Sequence, residues 1–167
     1  MPTWTVIRVI DPITKVTSCK VSATDAGAGL RLTRTGVLYP VVELHSELGL
    51  LVGVNSGGKF RVPTGDIVWR VDDLPFHELK AGDNPVVPGS SAMPSDVAAQ
   101  VMQKTTADFH RLIASTTATS TMASGDKAKA MLTEMIGGSS LIYRTAAGQQ
   151  FGLANPRAQA VGQITKG

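Results

Sequence analysis

The chain has one cysteine, few aromatic residues, little charge and no long apolar run, and each shortage excludes something. Cys19 alone has no partner for an intramolecular disulfide and belongs to no CxxC pair, so neither a disulfide framework nor a cysteine-built zinc site is open to the chain. Without a basic neighbourhood it reads as a small buried hydrophobe. No stretch approaches the ~20 apolar residues of a membrane-spanning helix, and the opening MPTWTVIRVIDP has neither the basic nor the apolar region of a signal peptide. The expectation is a chain with no membrane span, cytoplasmic or virion-associated.

Charged residues make up 17% of the 167, against a typical ~25%, and glycine, alanine and threonine fill the gap. The net charge of +3 comes from 16 basic and 13 acidic residues spread along the chain. Nucleic-acid recognition asks for a basic stripe interleaved with aromatic platforms, and aromatics are only 5% here, so the pattern argues against a nucleic-acid partner. A lightly charged surface suits contact with other protein surfaces or with copies of itself. His45, His77 and His110 fall in unrelated segments, none in an HxxxH or HExxH spacing. Gly27-Ala28-Gly29 is followed by LRLTR, which alternates as a strand, so it is no phosphate cradle; GVNSGG at residues 53–58 lacks the GxSxG of a nucleophile elbow.

What is present is short-period alternation. It is densest in residues 59–79, where Ile67, Trp69 and Val71 fall on one face of an extended segment and Val68, Arg70 and Asp72 on the other, until Leu74-Pro75 ends the ladder. Residues 4–10 and 15–21 read as a hairpin turning at Asp11 to Thr14, with Cys19 on the Val21 side. Residues 23–29 read as a loop. Residues 37–44 and 48–54 are two more apolar runs split by His45-Ser46-Glu47, and Pro40 marks the first as an edge or bulged strand. Asn55-Ser56-Gly57-Gly58 reads as a hairpin turn into a strand at residues 59–62.

After Leu79 the pattern changes. Residues 80–94 are a proline- and glycine-rich connector; Val97, Val101, Thr105, Phe109, Leu112 and Ile113 then recur at helical spacing behind a Ser95 cap. Residues 114–123, rich in serine and threonine, read as mobile. Ser124 caps a second helix with Ala128, Met131, Leu132, Met135 and Ile136 inward and Gly137-Gly138 as its stop. Residues 140–145 and 150–153 form a closing hairpin, and Asn155-Pro156 opens a last short helix to about Gln163. The expected fold class is α+β: mainly an antiparallel β-sandwich or partly open barrel with two to three helices in the C-terminal half. The parts are a β region at 1–79, the connector at 80–94, and helices plus hairpin at 95–167 on the same core.

Asp72-Asp73 is the most chemical feature. Neighbours on a strand point to opposite faces, so these carboxylates share neither a proton nor a metal unless the strand breaks between them. A rim-and-turn role follows, one capping backbone amides before Pro75 and the other pairing with Arg70. If the strand bulges, Asp72, Asp73 and His77, with Asp66 or Glu78, could hold a metal, and a metal-dependent hydrolase is the alternative reading. The preferred one is a non-enzymatic structural or protein-interaction module, a component of a phage particle or secretion assembly, with no cofactor. Its contact residues are Val101, Phe109 and Leu112 on the first helix, which docks on its own sheet or on a protein partner or second copy.

Arg70-Val71-Asp72-Asp73 makes a basic-x-Asp-Asp rim; after it come a helix at 127–136, an arginine-bearing strand at 141–144 and a Phe-x-Leu strand at 151–153. In this order the parts resemble the VasI-like β-sandwich accessory proteins found beside bacterial secretion machinery, over about the last three-fifths of the chain. The resemblance implies a non-enzymatic interaction module. The chain departs from exported relatives in having no signal peptide and no paired cysteines, which points away from a periplasmic address.

Overall fold

Valine, isoleucine and threonine crowd the first half of the chain, and where they alternate with small or polar residues the backbone pairs into sheet. A computed structural model of the chain describes residues 2–27, 30–85, 108–109, 112–113, 116–146 and 148–154. In chain order these give β1 (Pro2–Ile10), β2 (Thr17–Gly27), β3 (Leu30–Leu32), β4 (Leu38–His45), β5 (Gly49–Ser56), β6 (Ile67–Val71), β7 (His77–Leu79), a short 3-10 turn at Ala81–Asp83, β8 (Ser120–Ser124), α1 (Gly125–Gly137), β9 (Ser140–Thr145) and β10 (Gln150–Ala154). One sheet runs β1-β2-β4-β5-β8 with β3 on the end of β2, and the other runs β10-β9-β6-β7. All the pairings are antiparallel. The mainly antiparallel α+β architecture is thus present as two separate sheets with, among the described residues, α1 as the complete helix. Phe109, Leu112 and Ile113 also have helical backbone; the rest of the helix expected at 95–113 and the one at 155–163 lie outside the described residues.

The first hairpin turns where the sequence marks it. The Asp11 carboxylate accepts from the Ile13 and Thr14 amides at 2.8 Å each, and Lys15 takes a positive φ of 62° to close the turn. Register then runs from Ile10↔Thr17 to Pro2↔Asp25 without a break.

The two sheets meet in one core. Val52 and Val54 of β5 point into it from the first sheet, and Ile67, Trp69 and Val71 of β6 from the second, while Arg70 between them is exposed, as period two demands. Trp69, Tyr143 and Phe151 stand side by side across β6, β9 and β10, with ring centroids 5.9 and 5.5 Å apart. The Tyr143 hydroxyl donates to the Leu38 carbonyl at 2.6 Å, sewing one sheet to the other, and burial pushes its pKa up. On α1, Ala128, Met131 and Met135 complete the core, and the helix packs on β5 and β8. It stops at Gly138, where a Cβ would run into the Val71 side chain and the Glu134 carbonyl.

Several stretches fold differently from expectation. Residues 59–62 form no strand, and Asn55-Ser56-Gly57-Gly58 is no hairpin turn: Asn55 and Ser56 complete β5, paired with Tyr39 and Leu38. The chain then crosses between the sheets, with the Gly57 amide on the Val37 carbonyl and the Thr64 amide on the Ala118 carbonyl, both at 2.9 Å. Residues 23–27 are not loop but the end of β2, held between β1 and β3. The Ser/Thr-rich stretch ends in β8, where Thr121 is fully buried, its hydroxyl donating to the Gly65 carbonyl at 2.5 Å and lying 2.7 Å from the Thr64 hydroxyl. Pro40 sits in an inner strand, and it is tolerated because the β2–β4 ladder stops one residue short of it, at Ser22↔Val41. Ile136, expected on the buried face of α1, is exposed.

Candidate functional site

The β1–β2 hairpin outreaches the core. Trp4, near its open end, is buried; beyond it Val6 is 60%, Ile7 46%, Val9 52% and Ile10 54% exposed. Side chains alternate, so Val6 and Ile10 lie on the Trp4 face and Ile7 and Val9 on the other: β1 exposes apolar side chains on both faces, the second beside Ser18, Lys20 and Ser22 of β2. Ile13 at the tip is exposed as well, and Leu44, beside Cys19 in the register, extends the Val6 face. β1 ends its sheet, so among the described residues its outer row of amides and carbonyls has no strand beside it. Natural edges are blunted by lysine, proline or bulges, whereas β1 carries one charge, Arg8, and a proline only at its first residue.

The second sheet presents a mixed outer face. Val68, Arg70, Phe76, Glu78, Ile142 and Arg144 line a shallow depression of about 480 Å³. Arg70 stands opposite Ile142 and Val68 opposite Arg144, so the arginines are diagonal neighbours on one face, and among the described residues neither has an acidic partner. Glu78 lies 3.9 Å from the Lys80 ammonium, and its carbonyl accepts from the Lys127 ammonium.

The acidic rim lies in the turn after β6, where Asp72 has structural work and Asp73 is exposed. Asp72 takes a positive φ of 46° in the turn after β6, and its carboxylate accepts from the Ser139 amide at 3.0 Å and from the Ser140 amide at 2.8 Å and hydroxyl at 3.1 Å. These donors hold its pKa below the usual carboxylate range. The capping half of the rim-and-turn reading is present, but the donors come from the turn before β9 rather than from the segment before Pro75. The other half is absent: Asp73 is exposed and has no ion pair with Arg70. His77 faces Glu134 of α1, Nε2 to Oε2 at 2.9 Å, tying β7 to the helix. Among the described residues no three histidine, cysteine or acidic side chains are grouped to hold a metal.

Of the expected contact residues, Phe109 is 59% and Leu112 62% exposed, while Val101 lies outside the described residues. Neither the arm nor Arg144 is among the contact residues expected from the sequence. A signal for the arm was present in WTVIRVI, which alternates apolar residues on both faces where a half-buried strand would keep one face polar. Among the described residues no helix is long and apolar enough to cross a membrane. No family model, curated protein or solved structure matches the chain.

Proposed function

We propose that the protein is a non-enzymatic structural or protein-interaction module that assembles through the edge of β1, a component of the kind from which phage particles and secretion assemblies are built. The observation that carries this reading is β1 itself: an edge with no strand beside it among the described residues, with Val6, Ile7, Val9 and Ile10 exposed on its two faces and one charge. Main-chain groups of such an edge supply affinity by pairing with another strand, and the alternating side chains supply the fit. The occupant is the β1 edge of a second copy. In a twofold antiparallel pairing, any centre other than Arg8 keeps the two guanidiniums from facing each other. Phe109 and Leu112, exposed and apolar, offer a second contact. The VasI-like order of parts supports the same class of function.

Hydrogen exchange tests the pairing. Protection of β1 amides is expected to rise with protein concentration while amides in β5 stay unchanged; no concentration dependence in β1 would remove the proposal. The hydrolase alternative has its own measurement. Stoichiometric, tightly bound metal that is lost in Asp73→Asn would replace the structural reading.

A further inference from the structure

We infer that the outer face of the second sheet is a separate binding site for an extended acidic–apolar peptide segment of a partner protein, with Arg70 and Arg144 closing on one of its carboxylates. Sheet geometry places diagonal neighbours roughly 7 to 8 Å apart, within reach of long side chains, so both guanidinium forks can turn onto one anionic group between them. Arginine is permanently charged and presents a planar fork that matches a carboxylate in two parallel hydrogen bonds. In this sheet the two forks have no acidic partner among the described residues, and the one carboxylate in the depression, that of Glu78, lies near Lys80. The floor between them is apolar, formed by Val68 and Ile142, and exposed Phe76 borders it.

The shape decides among ligands of this charge. A small carboxylate lying on an open sheet face would leave most of its surface in water, whereas small-molecule sites usually enclose their ligand. A peptide crossing the strands gains apolar contact with Val68, Ile142 and Phe76 on either side of its acidic residue. Nucleic acid fits less well, because a phosphate backbone is held by several cations in series, and here two arginines share the face with Glu78.

The test uses the full chain, labelled for NMR, and a blocked peptide alternating leucine and glutamate, with its glutamine analogue and oligodeoxythymidylate as competitors. The glutamate peptide is expected to shift the Arg70 and Arg144 side-chain N–H resonances and to bind about tenfold more tightly than the glutamine analogue, the scale of one charge-assisted contact. Arg70→Gln and Arg144→Gln should each weaken it by a similar factor while the Trp69 indole resonance, which reports the core, stays in place. Equal binding of the glutamine analogue, full binding by either variant, tighter binding of the oligonucleotide, or no binding of the peptide at millimolar concentration would each overturn the inference. Because both arginines lie off the β1 arm, these outcomes are independent of self-association.

Discussion

Asp72 combines a strained backbone with a satisfied carboxylate, and the second explains the first. An aspartate tolerates positive φ better than most residues, and here the conformation turns its oxygens onto two amides of the turn before β9. The fold therefore favours the ionised form, and the sign of the pH effect follows. A carboxylate with a depressed folded pKa stabilises above its unfolded value of ~3.9 and loses that contribution as pH falls through the folded value. Asp72→Asn keeps the tolerance for positive φ and removes the charge. Its thermal midpoint is expected to lie below the wild type at neutral pH, with the gap closing below about pH 4; a gap constant with pH would mean that shape, not charge, is what the carboxylate provides. The capping role was legible from the pair's position before Leu74-Pro75. The identity of the donors was not, because Ser139 and Ser140 reach Asp72 only through the pairing of β6 with β9.

At the scale of elements, the sequence signals best where burial is one-sided. β6 alternates cleanly, the Asp11 turn has its own side-chain caps, and α1 has an apolar stripe and a glycine stop; each forms where it was expected. Trp69 lies at the centre of this, fully buried and stacked on Tyr143. Trp69→Ala should cost ~3 to 5 kcal/mol, read as a lower denaturant midpoint, and a loss under about 1 kcal/mol would contradict the burial of its face. β8 was hidden for the opposite reason: its residues are small and hydroxylated, and the pairing partners that make burial of Thr121 tolerable, Thr64 and Gly65, lie more than fifty positions away. The strand expected at 59–62 failed on turn chemistry. Gly57 serves a close approach to the Tyr39 ring, not a two-residue hairpin turn.

For the whole molecule, the apolar residues divide between the core and the arm. The core between the sheets takes Trp4, Val52, Val54, Trp69 and Met131, yet Val6, Ile7, Val9 and Ile10 of the arm are exposed beside a row of backbone groups that no strand pairs among the described residues. Exposed apolar residues grouped beside an unpaired edge are the feature on which the proposed assembly through β1 rests. Sedimentation velocity of the wild type and of Val6→Lys/Val9→Lys, which charges both faces of the edge, tests this most directly. The wild type should sediment as a concentration-dependent oligomer and the variant as a folded monomer; a wild type that stays monomeric at high concentration, or a variant that still associates, would contradict assembly through β1.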